Sequence, residues 1–220
     1  MSGSLSNLYL AGYNSLQAAG WTISLLKILN NFITAKSFNG AYASAGDQLC
    51  FLQAFAFLEV IHGAIGIVPS GWVNPLFQWA GRSNFLLLIV RPIYEVQELP
   101  AVYLTLIAWC LIEVVRYPYY AFTCIGDCPY LITYLRYTAF IVLYPVGMIA
   151  EMWLMYQALP YIKDKSLYAD SFKSLHFSYC DLVKVILLVY PLVFPKLYLH
   201  LFRQRKAKLF GKTHEKKKRR

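Results

Sequence analysis

Between residues 137 and 162 the chain runs through 26 consecutive positions with a single charged side chain, Glu151. As a helix that stretch would be about 39 Å long, enough to cross a hydrocarbon core of about 30 Å. A helix on the surface of a soluble protein needs a wide polar face, and this one has none. Residues 101–115 repeat the pattern, with Glu113 as the one charge. A soluble helical bundle is the competing architecture, because some charge-free runs are only about 14 residues long, a length also found in buried core helices. The missing polar faces favour the membrane.

Six apolar windows emerge, at residues 8–33, 49–68, 85–96, 101–122, 137–162 and 182–202. Turn-forming stretches such as Pro69-Ser70-Gly71, Gly81-Arg82-Ser83-Asn84 and Gly126-Asp127 fall between them. The first window is polar for a span, with Asn14, Gln17, Asn30 and Asn31, and the third is about a dozen residues holding Arg91 and Pro92. The expected fold is an all-α polytopic membrane bundle of about six transmembrane helices, with a membrane domain over residues 1–202 and a basic tail over 203–220.

That tail accounts for the net charge of +10. From Arg203 onward ten basic side chains face only Glu215, which leaves +9 in the tail and +1 in residues 1–202. A nucleic-acid binder would spread Lys and Arg through its folded part, so no nucleic-acid partner is expected. Basic residues beside a span favour the cytosolic side, which with an even number of spans puts both termini in the cytosol. The ending Lys217-Lys218-Arg219-Arg220 is similar to a dilysine retrieval signal of endoplasmic reticulum membrane proteins, and it also suits anionic headgroups. The N-terminus lacks the basic and apolar regions of a cleaved signal peptide. Of the five cysteines only Cys124 and Cys128 are closely spaced, and no second pair follows to complete a zinc site, so no metal is expected.

Ionisable side chains inside apolar windows are costly and therefore candidates for function. Among them are Glu59, His62, Arg91, Glu113, Arg116 and Glu151, with Arg136 at the start of the fifth window. Glu59 and His62, and likewise Glu113 and Arg116, are spaced i,i+3 and can pair locally on one helix face. In the fifth window Arg136, Tyr144 and Glu151 are separated by 8 and 7 residues, which places them on one stripe. Pro145 lacks an amide donor and should kink that helix, bringing the Tyr144 phenol and the Glu151 carboxyl, about 10 Å apart along a straight helix, toward one reacting group.

A phenol and a carboxyl in a dry site suit an elimination, in which a base removes the proton beside a carbonyl and an acid protonates the departing hydroxyl. A cysteine phosphatase is excluded: Cys110 and Arg116 have the Cys-x5-Arg spacing, but no glycine lies between them and a helix interior has no free amides to cradle phosphate. Gly63-Ala64-Ile65-Gly66 reads as close helix packing rather than a phosphate loop.

These residues carry a resemblance. Leu58-Glu59-Val60-Ile61-His62-Gly63, Gly81-Arg82, Trp109 to Glu113 with Arg116-Tyr117, Leu135-Arg136-Tyr137 and above all Leu143-Tyr144-Pro145-Val146-Gly147-Met148-Ile149-Ala150-Glu151 resemble the 3-hydroxyacyl-CoA dehydratase family, once described as protein tyrosine phosphatase-like A, with its plant Pasticcino-type members. The resemblance implies a six-span enzyme of the endoplasmic reticulum that dehydrates (3R)-3-hydroxyacyl-CoA to trans-2-enoyl-CoA, the third step of very-long-chain fatty acid elongation. It implies Tyr144 and Glu151 as the catalytic pair, with Arg136, Gly147 and Arg82 in support. It implies the condensing enzyme and reductases of elongation as partners, with acyl-CoA as substrate. No cofactor is expected beyond the CoA that the substrate carries. Which of Tyr144 and Glu151 acts as base stays open in the sequence. The alternative is a non-enzymatic membrane scaffold, or an inactive family member organising an elongase complex, in which the buried charges only pair helices.

Overall fold

The computed structural model describes residues 2–174 and 176–210, and among them there are helices and no strands. In chain order these are α1 (Ser2–Ala35), α2 (Ala41–Phe55), α3 (Phe57–Ala64) and α4 (Val73–Ser83), which continues into a π-helical stretch (Asn84–Val90). They are followed by α5 (Tyr94–Gln97), α6 (Pro100–Ile125), α7 (Tyr130–Arg136), α8 (Phe140–Asp164), α9 (Ala169–Phe172) and α10 (Tyr179–Arg205), which runs into a second π-helical stretch (Lys206–Phe210). The Lys217-Lys218-Arg219-Arg220 ending lies outside the described residues.

Among the described residues three helical stretches are long and apolar enough to cross a membrane: Pro100–Ile125, Tyr130–Asp164 and Tyr179–Phe210. They coincide with the fourth, fifth and sixth windows of the sequence. The first three windows are not among them. Window 8–33 lies within α1, where Asn14 and Gln17 are buried, the Gln17 amide donating to the Tyr13 hydroxyl at 3.2 Å, while Asn30 is exposed. Window 49–68 divides at Ala56 into α2 and α3. Window 85–96 is a π-helical stretch, a turn at Arg91-Pro92 and the single turn of α5. Arg91 is exposed and sits 3.9 Å from Asp47.

Helix α6 is the centre of the bundle, with α1 along one side and α8 along another, while α10 packs chiefly on α8. Local chemistry sets its ends. Leu99 is extended before Pro100, whose fixed φ suits the first turn of a helix, and the helix stops at Gly126. Helix α10 starts with a capping box: the Ser178 hydroxyl accepts from the Asp181 amide and the Asp181 carboxylate accepts from the Ser178 amide. Outward-facing apolar residues are frequent on α10, where Leu188 and Leu192 are more than 70% exposed. Such a surface suits lipid contact.

The fifth window is a single helix, α8, apart from its first three residues, but Arg136 does not belong to it. The chain is interrupted at residues 137–139, between α7 and α8, and α8 then runs unbroken through Pro145. Arg136 therefore ends α7, and the expected one-helix stripe of Arg136, Tyr144 and Glu151 holds only for its last two members. Pro145 cannot donate to the carbonyl of Ile141. That carbonyl accepts instead from the Tyr198 hydroxyl of α10 at 2.8 Å, so a neighbouring helix satisfies what proline leaves unpaired.

Candidate active site

Four charged side chains that are scattered through the sequence meet in one cluster. Glu113, with no exposed side-chain surface, accepts from Arg116 Nε at 2.5 Å and from Arg82. Arg116 also forks onto Glu59, with its two terminal nitrogens 2.8 and 3.1 Å from the two carboxylate oxygens. The hydroxyls of Tyr117 and Tyr13 donate to Glu59 Oε1 at 2.5 and 3.4 Å. Two guanidiniums and two carboxylates leave no net charge, the condition under which such groups are tolerated in a dry interior. The i,i+3 pairing of Glu113 with Arg116 is as the spacing predicts. Glu59 and His62 do not pair as expected: His62 Nε2 is 2.9 Å from the Tyr9 hydroxyl, its ring lies edge-on to Tyr13, and Glu59 is drawn away by Arg116. A guanidinium offering two donors outcompetes a single imidazole nitrogen.

Beside this cluster, α6, α8 and α10 converge on Glu151. Trp109 Nε1 of α6 donates to Glu151 Oε1 at 2.6 Å, and the Tyr190 hydroxyl of α10 donates to Oε2 at 2.6 Å. Trp109 also joins the two groups of residues, because the Arg82 guanidinium lies 4.8 Å from its ring centroid and the Phe85 ring packs against it at 5.4 Å. Two turns earlier on α8, Tyr144 packs edge-on against Phe140. Arg136 donates to the Tyr120 hydroxyl at 3.3 Å and lies over the rings of Tyr120 and Tyr137.

Gly147 lies between Tyr144 and Glu151 on the face of α8 turned to α6, where an added Cβ would stand 3.6 Å from the Ala108 methyl. The two helices thus approach closely with room for one methyl. Gly63 is tighter: a Cβ there would come within 2.3 Å of the Gly71 carbonyl oxygen, which makes it a packing glycine. Cys110 is fully buried in α6 and Arg116 is committed to two carboxylates, so that pair presents no phosphate cradle. Among the described residues no group of three or more His, Cys, Asp or Glu side chains could hold a metal ion.

The structure thus brings Arg82, Glu113, Arg116 and Glu59 together, joins Glu151 to them through Trp109 and Arg136 through Tyr120, and leaves Tyr144 packed against Phe140. His62 stands apart, bonded to Tyr9. A small crevice reaches the cluster from the side of Gln53, Trp79, Glu59 and Arg116, and Tyr144 and Glu151 do not line it. Sequence reasoning missed Tyr190 and gave Trp109 no role. The available signal was a tyrosine hydroxyl within an otherwise apolar span, which must find a partner when buried.

Residues 53–211 match the family model described as protein tyrosine phosphatase-like protein, PTPLA. The chain is 37% identical over 217 residues to a human protein named very-long-chain (3R)-3-hydroxyacyl-CoA dehydratase 2, covering 97% of this chain and 85% of the relative. It is 34% identical over 214 residues to dehydratase 1 of the dog, covering 96% and 86%. A Caenorhabditis elegans protein of the same enzyme name is 32% identical over 212 residues, covering 94% and 97%. No solved structure matches the chain.

Proposed function

The chain belongs to the protein tyrosine phosphatase-like (PTPLA) family, and from that premise we propose that it dehydrates (3R)-3-hydroxyacyl-CoA to trans-2-enoyl-CoA with Tyr144 and Glu151 as its acid–base pair. The observation that carries this reading is the placement of the two groups. The Glu151 carboxyl of α8 is held by one donor from α6 and one from α10, and the Tyr144 phenol stands two turns earlier on the same helix. Relatives named as very-long-chain 3-hydroxyacyl-CoA dehydratases support the substrate class.

The environments divide the roles. Glu151, with a donor on each oxygen, is arranged as a carboxylate and takes the proton from C2. As the C2–H bond breaks, its electrons form the C2–C3 double bond, and the C3–O bond breaks. Tyr144 gives its proton to the departing hydroxyl, which leaves as water. Arg82 and Arg136 are the cations that would stabilise the phenolate left behind. The proton on Glu151 then returns through solvent to restore the starting state. Gly147 lets α8 approach α6, which keeps Trp109 within reach of Glu151. Glu59, Glu113 and Arg116 anchor Arg82.

The proposal extends to setting. Six crossings are built from α1, α2 with α3, the helical stretch 73–90, α6, α7 with α8, and α10. Both termini then lie in the cytosol, and the basic tail sits at the surface of the endoplasmic reticulum. The reaction there is the third step of elongation, in company with the condensing enzyme and reductases. The test is turnover of a (3R)-3-hydroxyacyl-CoA by the purified protein. Tyr144→Phe and Glu151→Gln should each abolish it while the protein stays folded, and undiminished turnover in both variants would remove the pair from the reaction.

A further inference from the structure

A carboxylate on one helix that is held from two others is an unusual use of a membrane interior. Trp109 can only donate through its indole nitrogen, and it is 3% exposed, fixed between Phe85 and Arg82. Tyr190 reaches the second oxygen from α10, the helix that otherwise keeps much of its apolar surface facing outward. Without them, Glu151 would have three side-chain torsions free to rotate. With them, both oxygens are fixed, and the carboxylate plane is set by residues 42 and 39 positions away in the chain. Tyr190 is next to Pro191, inside a helix that holds two prolines.

We propose that Tyr190 is a positioning residue of the reaction: together with Trp109 it clamps the Glu151 carboxylate in the orientation needed for proton removal. The proposal rests on Glu151 taking part in the reaction. A merely structural Tyr190 would tie α10 to α8 and affect folding alone. A positioning Tyr190 affects the chemical step through Glu151.

The experiment compares turnover of (3R)-3-hydroxyacyl-CoA by the purified full-length protein and its Tyr190→Phe and Trp109→Phe variants, with thermal unfolding as the check on folding. Each variant should lower kcat about ten- to hundredfold, as loss of one hydrogen bond to a charged group implies, with KM changed by less than about twofold. In a Glu151→Asp background, where the shorter side chain no longer reaches both donors, Tyr190→Phe should cost less than about twofold in residual kcat. Unchanged kcat in Tyr190→Phe beside an inactive Glu151→Gln overturns the clamp and leaves the catalytic reading standing. Equal losses with and without Glu151→Asp overturn it as well. Full activity in Glu151→Gln overturns the catalytic reading itself. If Tyr190→Phe does not fold, Trp109→Phe carries the same comparison.

Discussion

Arg116→Met removes the hub of the buried charge cluster while keeping most of its volume. Arg116 donates three charge-assisted hydrogen bonds, one to Glu113 and two to Glu59, and its side chain is only 9% exposed. At about 1.5–3 kcal/mol each these bonds would sum to several kcal/mol, but they are not additive. The cost is set by what stays behind: Glu113 retains Arg82, whereas Glu59 keeps only the hydroxyls of Tyr117 and Tyr13. A fully buried carboxylate, Glu113, and a part-buried one, Glu59, whose side chain is 21% exposed, then face one guanidinium. Removing one partner of a buried pair costs about 3–5 kcal/mol, and the same is expected here. Adding Glu59→Gln restores neutrality, so the double variant should be more stable than Arg116→Met alone, by about 1–3 kcal/mol of coupling. Reversible unfolding in detergent micelles measures all three proteins. A cost for Arg116→Met below about 1 kcal/mol, or a double variant less stable than the single one, would refute a charge-balanced cluster.

Other expectations follow from single contacts. Tyr198→Phe leaves the Ile141 carbonyl without its donor and should cost about 1–3 kcal/mol in the same unfolding assay, whereas in a Pro145→Ala background, where the backbone amide returns, the cost should be smaller. Gly63→Ala drives a methyl into the backbone of Gly71 and should destabilise by about 1–3 kcal/mol. Gly147→Ala, whose methyl meets Ala108 at ordinary contact distance, should be within about 1 kcal/mol of wild type. Gly147→Leu should separate α8 from α6, break the Trp109–Glu151 bond and abolish turnover; retained turnover would show that close approach of the helices is dispensable.

The parts of this molecule that were legible in its sequence are those set by short range. Residues 101–122, 137–162 and 182–202 announce α6, α8 and α10 because a long apolar run with one or two charges has few other solutions, and Glu113 and Arg116 are neighbours by helical geometry alone. Ala56, by contrast, ends α2 with nearly helical backbone angles, and the interruption at residues 137–139 falls on Tyr-Thr-Ala, with neither glycine nor proline to mark it. Long-range partners were hidden for a different reason. Arg116 finds Glu59 57 positions away, and Arg82 finds Glu113 across 31, so two expected local pairs became one cluster and His62 was left to Tyr9. Proline at 145 signalled a weak point in the helix, but the remedy, a hydroxyl from Tyr198, belongs to another helix.

The central claim is that Tyr144 and Glu151 act together on a 3-hydroxyacyl-CoA. Its most direct test is the rate at which purified wild-type, Tyr144→Phe and Glu151→Gln proteins release water from (3R)-3-hydroxyacyl-CoA, followed as formation of trans-2-enoyl-CoA. The account predicts turnover by the wild type and none above background in either variant, with all three proteins equally folded. Wild-type rates in both variants, or no turnover by a folded wild type, would contradict it.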